Sequence, residues 1–297
     1  MIPVILTNEL YGRVIEVVTG VQGEQGFRVK TRPIPQQSGL RVDFNVNFKS
    51  DGKPASARVL LYNPPTRMIS DLLRGERSFL SLEAGYLQRF GIIFAGIPTR
   101  DGVEVERASH GEVRLEITAH SGGARYRDAA TSISLGGRQV AAALAEDIAR
   151  RAGYVVDKNE IPDASIYPRG FSFSGKTSEA LAEIAAFTRT EVFIDGDRLS
   201  FLSLSQPRAS QLSVPLFSAR QRNPNLVGTP TWTDKGLKFQ GLLEPDLRPG
   251  KQVVVEFYDL TKDAWVKNRL VLREVQYTGS NYGQEFFVTG VGKVVGS

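Results

Sequence analysis

The chain has 297 residues, of which 41% are hydrophobic and 23% charged, a composition that excludes an intrinsically disordered protein and allows two or three small domains. It has no cysteine, which excludes disulfides, thiolate metal sites and cysteine nucleophiles, and no apolar run long enough to span a bilayer, so we expect no membrane insertion. The formal net charge is only +5 and basic residues are interspersed with acidic ones, which argues against a duplex-binding protein.

The first part of the chain is predicted to be β-structure. In residues 41–49, four apolar residues alternate with polar ones, which is the period of a strand with one buried face. A turn at 51–52 allows residues 57–63 to return as its partner, and the prolines at 64–65 end that strand. The apolar spacing over residues 66–75 then predicts a short amphipathic helix.

Three further strands are predicted at residues 79–86, 92–97 and 112–119. The stretch Asp101–His110 between the last two is long and polar, and we expect it to be a loop that projects from the body. Several short strands with one helix favour a closed or nearly closed barrel, because closure removes the exposed strand edges.

The middle of the chain has a different pattern. Residues 137–153 are alanine-rich with helical spacing, and Gly153 occupies the position of a C′ glycine. A second helix is predicted over residues 178–188, capped by Thr177 or Ser178. Residues 191–201 read as a hairpin that turns at Asp195-Gly196. This segment is therefore predicted to be a small α+β unit.

Strands return beyond Pro207 and indicate a second barrel. They are predicted at residues 236–241, 252–258, 270–277 and 285–289. The chain is thus predicted to contain three domains: residues 1–125, 126–207 and 208–297.

One segment of the chain matches a nucleotide-binding motif. Residues Gly170–Thr177 match the phosphate-binding pattern G-x-x-x-x-G-K-[ST] and precede a predicted helix. The preceding stretch contains Pro162 and Pro168, which are unfavourable in the buried parallel strand that such a loop follows. Residues 171–174 alternate apolar and polar, so they predict a strand, with Lys176 at a solvated helix start.

The remaining candidates for chemistry are weak, and we predict no catalytic residue, no metal site and no cofactor. His110 and His120 are the only histidines and lack metal-ligand spacing. Glu104 and Glu106 lie in the predicted loop with no pocket implied. Trp232 and Trp265 fit core or interface anchors better than ligand platforms.

Ten fragments, in order, resemble the baseplate hub proteins of contractile-tailed bacteriophages and related injection machines. They are Leu60–Asn63, Leu82–Tyr86, Phe94–Ile97, Leu115–Gly122, Phe173–Ile184, Val192–Asp197, Leu226–Pro230, Gly236–Phe239, Leu243–Gly250 and Arg273–Gly279. Each is short, and their order and spacing over most of the chain carry the resemblance. The chain departs from the family at Asn63-Pro64-Pro65, where a leucine commonly follows the asparagine.

The resemblance implies a mainly β fold with an α+β insertion: two tail-tube-like antiparallel β-barrel domains plus a small α+β domain. It implies a homotrimeric ring that joins a sixfold tail tube to a threefold central spike and forms part of the channel for DNA ejection. The implied partners are the tail tube ring and the spike, with baseplate wedge and tape measure proteins as further candidates, and DNA only as passing cargo. The expected location is the tail baseplate of the virion, after assembly in the host cytoplasm.

Three alternatives stay open at this point. They are a P-loop nucleotide-binding protein that uses Gly170–Thr177, a cell-wall-binding module formed by residues 126–206, and a tail tube protein. No residue is predicted to be catalytic. The predicted contact with a neighbouring ring consists of Asp101, Gly102, Val103, Glu104 and His110.

Overall fold

The computed structural model describes most of the chain and is built largely of strands. The described residues are 4–5, 12–21, 26–31, 39–49, 54–74, 78–122, 129–203 and 214–295. The turn predicted at residues 51–52 lies outside them. Within these ranges, no helix has both the length and the apolar character needed to cross a membrane.

The elements are numbered in chain order. The strands are β1 Val4–Ile5, β2 Arg13–Val21, β3 Phe27–Lys30, β4 Val42–Phe48, β5 Ser56–Tyr62, β6 Ser78–Tyr86, β7 Arg89–Arg107, β8 Val113–His120, β9 Ala130–Leu135, β10 Gln139–Val140, β11 Val155–Asn159, β12 Ile166–Tyr167, β13 Phe171–Lys176, β14 Glu191–Asp195, β15 Arg198–Leu202, β16 Val214–Ser218, β17 Leu226–Thr233, β18 Gly236–Leu242, β19 Gln252–Asp259, β20 Ala264–Ser280 and β21 Phe286–Val294. The helices are α1 Thr66–Arg74, α2 Ala141–Arg151 and α3 Thr177–Thr188.

Both β-rich ends of the chain belong to one compact unit, made of residues 1–48, 56–120 and 207–297. Its strands follow the order β1-β16-β19-β20-β4-β5-β8-β7-β6-β2-β3, and β21, β18 and β17 continue from β20. The mainly β class with an α+β insertion is confirmed. No barrel closes among the described strands, and the division of this unit into two tube-like barrel domains stays a prediction.

The long strand β20 joins the two ends of the chain. Leu270 and Val271 pair with both β19 and β21, so these two strands lie on opposite edges of β20. Residues 275–279 pair with β21 and also with β4, which therefore shares the edge of β19. The predicted alternation in β4 is confirmed, since its four apolar side chains are buried and the polar ones are less so.

An aromatic cluster fills the core beneath this junction. The ring of Phe286 makes edge contacts with Phe44 at 6.1 Å and with Tyr86 at 5.4 Å between centroids. Gly279 leaves room for the Phe44 ring, because a Cβ there would lie 2.6 Å from Phe44 Cε1. The core thus depends on side chains from both ends of the chain.

The helix α1 is confirmed where the sequence predicts it. It buries Met68, Ile69 and Leu72. Leu73, which belongs to the same predicted apolar set, is 56% exposed. The apolar face is therefore one residue narrower than the spacing indicates.

The second compact unit comprises residues 49–55 and 121–206. Helices α2 and α3 pack together, beside the three-stranded sheet β11-β15-β14 and the strand pairs β9–β13 and β10–β12. The buried side chains of both helices and of β14 and β15 form one apolar cluster. The small α+β unit predicted from the middle of the sequence is therefore present.

The local signals in this unit are mostly confirmed. Gly153 has φ +83° directly after the C-cap residue of α2, as expected for a C′ glycine. Gly196 has φ +66° in the two-residue turn between β14 and β15. The predicted cap of α3 is wrong: Lys176 is the N-cap residue without a side-chain cap, and the Thr177 hydroxyl instead hydrogen-bonds that of Thr131 at 2.8 Å.

Candidate functional site

The predicted projecting loop is instead a strand. Residues 101–107 belong to β7, which pairs with β8 from Val103 opposite Ile117 to Arg107 opposite Val113. Two valines alternate there with two glutamates, so the period-two signal is present but is masked by the polar majority. Only the tight turn at residues 108–112 remains between the strands, where Ala108 N–H donates to the Glu112 carbonyl at 2.9 Å.

The structure brings four of the five predicted contact residues together on β7. Asp101 and Glu104 are exposed, whereas Gly102 is buried and could not carry a side chain, because a Cβ would lie 2.6 Å from the Thr118 carbonyl oxygen. His110 is exposed in the turn at the end of the hairpin, apart from the other four in sequence. The role of these residues as a contact stays a prediction.

The outer edge of β7 carries backbone groups that point away from the sheet. The Val113 carbonyl accepts from the Asn63 N–H at 2.7 Å, and the Val113 N–H donates to Asn63 Oδ1 at 2.9 Å, so Val113 faces β5. The backbone groups of successive strand residues point to alternate edges, so those of Ile117 and Leu115 also face β5. The residues of β7 opposite these three are Val103, Val105 and Arg107, and their N–H and C=O groups therefore point outwards. No strand in the described part of the chain pairs with this edge.

Charged side chains line the same edge. Glu104 lies directly opposite Glu116, an arrangement of like charges that is unfavourable across a strand pair. The Arg58 guanidinium donates to Glu116 Oε2 at 2.7 Å and lowers the pKa of that carboxyl. Arg114 forms an ion pair with Glu106. The carboxylates on β7 disfavour pairing with an arbitrary strand. They favour a partner strand that carries a cation at the matching position.

A second surface is a two-stranded arm formed by the ends of β19 and β20. Strand β16 pairs with β19 only up to Glu256, and β21 pairs with β20 only from Leu270 onwards. The segment 257–268 therefore extends beyond β16 and β21, and within the described residues its two strands pair only with each other.

The arm presents aromatic and apolar side chains to solvent. Tyr258 and Trp265 lie opposite each other with ring centroids 5.7 Å apart, and they are 38% and 42% exposed. The Arg220 guanidinium lies over the Trp265 ring at 5.5 Å. Leu260 in the turn is 81% exposed. A projecting element with exposed aromatics and unpaired edges is typical of a contact surface.

A polar cleft of about 370 Å³ lies on the face of β4, β5 and β20. Its charged groups are neutralised locally, since Arg41 contacts Asp43 at 2.9 Å and Arg58 pairs with Glu116. The Ser280 hydroxyl donates to Asp43 at 2.5 Å. These contacts hold the sheet together and form no acid–base or nucleophile arrangement.

The phosphate-loop match has the wrong structure for nucleotide binding. Residues 171–176 form β13, which pairs antiparallel with β9 over its whole length, and α3 starts directly at Thr177. Backbone N–H groups held in a ladder cannot converge on phosphates as a true loop requires. The strand predicted from the alternation of residues 171–174 is confirmed, and Lys176 is exposed.

We expect Lys176→Ala to leave the free energy of unfolding unchanged within about 0.5 kcal/mol, because the side chain is exposed. Millimolar ATP with magnesium should not raise the unfolding temperature of either protein. Differential scanning fluorimetry measures both. A nucleotide-dependent increase that is lost in Lys176→Ala would contradict this expectation.

The two histidines lie at the two ends of one segment, His110 in the turn before β8 and His120 as its last residue. Among the residues that the structure describes, no three histidine or acidic side chains are grouped to hold a metal ion. The candidate site of this protein is therefore the pair of contact surfaces on β7 and on the arm.

A family model matches most of this chain. The family model described as "Baseplate hub gp41" matches residues 74–292. A search of curated proteins finds no match to this sequence.

Solved structures of two tail proteins and of a chain from a protein complex share the fold. A tail protein from Neisseria meningitidis MC58 aligns with TM-score 0.61 and 13% identity, over 94% of this chain and 96% of that one. The 43 kDa tail protein of prophage MuSo2 from Shewanella oneidensis aligns with TM-score 0.61 and 9% identity, over 94% and 97%. A chain of the Francisella PdpA–VgrG complex aligns with TM-score 0.53 and 8% identity, over 97% of this chain but 59% of that one.

Proposed function

The chain belongs to the baseplate hub gp41 family, and from this premise we propose that it forms a trimeric ring that joins the sixfold tail tube to the threefold central spike. The family is one of structural components of the phage tail, so the chain is a structural virion protein rather than an enzyme. In the proposed ring each subunit supplies two tube-like halves, and the six halves match the sixfold tube.

The observation that carries this proposal is the family match over residues 74–292, which covers the α+β insertion, nearly all of the second β-rich end and strands β6 to β8 of the first. The unpaired edges of β7 and of the arm support it, because a ring of identical subunits can cover such edges. Head-to-tail contacts between two different surfaces close into rings when the rotation fits.

The proposed partners are the tail tube ring on one side and the central spike on the other, with baseplate wedge and tape measure proteins as further candidates. The similar fold in the Francisella PdpA–VgrG complex supports contact with a second kind of protein. The turn that carries His110 is exposed at the end of its hairpin and is proposed to touch a neighbouring ring. The ring lumen would conduct DNA during ejection without reading its sequence.

A cell-wall-binding role of the α+β unit is a second candidate, because this unit exposes an aromatic surface. Phe187 is 48% exposed and stacks on Tyr167 with centroids 4.3 Å apart. Exposed aromatic rings can stack on sugars. Sedimentation of the full chain with peptidoglycan, compared with Phe187→Ala, tests this role. If both proteins stay in the supernatant, the cell-wall-binding role is rejected.

Negative-stain electron microscopy of the purified protein tests the ring proposal. We expect threefold particles with a central opening and six peripheral lobes. Open filaments or twofold particles would contradict the ring. Addition of the spike protein from the same virion should cap one face of the particles.

A further inference from the structure

We propose that the arm of one copy of this chain pairs with the outer edge of β7 in the next copy, as parallel strands that place Lys267 opposite Glu104. The proposal rests on the ring described above and assigns its subunit contact. Both surfaces lie in the same compact unit, and each is unpaired in the described part of the chain.

The backbone of the arm is oriented for such pairing. The Arg269 carbonyl accepts from the Val295 N–H at 2.9 Å, so the backbone of Arg269 faces the β21 edge. Residues alternate along a strand, and the N–H and C=O groups of Lys267 and Trp265 therefore point to the same edge, beyond the end of β21. These are the groups that a new strand would contact.

The register follows from the outward groups of β7. In a parallel strand pair, the N–H and C=O groups of one residue bond the residues before and after the one that lies directly opposite it. The side chains of the two opposite residues point to the same face of the sheet. Lys267 would bond the outward groups of Val103 and Val105, which puts its side chain beside Glu104. An antiparallel pair would instead put Lys267 opposite a valine.

Charge favours the parallel arrangement. Glu116, which lies opposite Glu104 in the same chain, is already paired with Arg58, so the cation of Lys267 would pair with Glu104 itself. On the arm, the carboxylate opposite Lys267 belongs to Glu256, which accepts from the Ser218 hydroxyl at 2.7 Å.

The contact also gives a role to the exposed ring of Trp265 on the arm. Trp265 adjoins Lys267 on the same face, and it would lose solvent exposure when the strand pairs. The arm and β7 are different surfaces, so the contact is head-to-tail and can close a ring with one such contact per subunit.

Cysteine cross-linking tests the contact, since the chain has no cysteine of its own. The double variant Lys267→Cys with Glu104→Cys should form disulfide-linked dimers and trimers in mild oxidant, seen on non-reducing gels. A mixture of the two single variants should give linked dimers only. The matched control pairs Lys238→Cys with Glu104→Cys and should stay unlinked, because Lys238 is exposed on β18, whose two edges are both occupied.

A charge exchange gives an independent readout. Lys267→Glu and Glu104→Lys should each weaken oligomer formation about tenfold or more, and the double exchange should restore it. Light scattering on the same samples separates the outcomes. A trimer without cross-links and without charge rescue overturns the arm contact alone, whereas a monomer at all concentrations overturns the ring as well.

Discussion

Replacement of Arg89 with methionine is expected to lower the free energy of unfolding by about 1–2 kcal/mol at pH 8, because the buried carboxyl of Glu244 loses its cation and must take up a proton to become neutral. Arg89 Nε lies 2.8 Å from Glu244 Oε1, and the Glu244 side chain is only 5% exposed. This ion pair connects the hairpin between β6 and β7 to the loop after β18. Urea unfolding followed by circular dichroism measures the loss.

The loss should shrink as the pH falls. Burial raises the pKa of Glu244 to about 7 from its ordinary value of 4.5, although Arg89 acts to lower it. The folded protein thus keeps a proton that the unfolded chain has released, and this contribution to stability is complete below pH 4.5 and is lost as the pH rises through about 7. The total change is about 3 kcal/mol.

Glu244→Gln is the control for this effect, because the amide has no proton to lose in this range. It should flatten the dependence of stability on pH between about 5 and 8. The double variant with Arg89→Met should be more stable at pH 8 than Arg89→Met alone, since the amide is neutral without taking up a proton. A pH dependence unchanged by Glu244→Gln would refute the assignment to this carboxyl.

Phe286→Ala is expected to destabilise the protein by about 3–5 kcal/mol through loss of a buried aromatic ring. Phe286 is fully buried, and its ring contacts Phe44 from β4 and Tyr86 from β6. Chemical denaturation measures the change. The exposed Trp232→Ala serves as the control and should change stability by about 0.5 kcal/mol or less.

The same variant tests whether the two β-rich ends of the chain fold together. Hydrogen exchange in Phe286→Ala should speed up in β4 and β6 as well as in β21, because their core is shared. Faster exchange confined to the residues beyond 207 would show that the ends are stable independently. That result would contradict the single compact unit.

The sequence predicts the strands whose alternation is clean and the turns that carry a glycine signal. Strands β4 and β8 and the hairpin at Gly196 follow from patterns within a few residues. The C′ position of Gly153 follows in the same way. These features depend on local chemistry, which a single sequence displays directly.

Long-range pairing was not predictable from the same signals. The paired residues of β4 and β20 lie 227 to 237 positions apart in the chain, and neither hydrophobic pattern indicates which strand is its partner. Strand β16 is buried on both faces, so it shows no alternation, and it was not predicted. Its flanking residues 204–213 lie outside the described ranges.

The candidate site was predicted only in part. Residues 101–104 were selected as a contact for the wrong reason, as a projecting loop, and the structure shows a strand with an outward edge. The arm was missed because its distinguishing feature is the absence of neighbouring strands, which depends on where β16 and β21 end. Trp265, assigned from the sequence to the core or an interface, is the one signal that pointed there.

The central claim is that this baseplate hub family member acts by assembling into a ring. Its most direct test is the solution mass by light scattering across a range of protein concentrations. A trimer of the 32.7 kDa chain, or a monomer that becomes a trimer when the spike is added, is the predicted result. A protein that stays monomeric at every concentration and binds no tail component would contradict the claim.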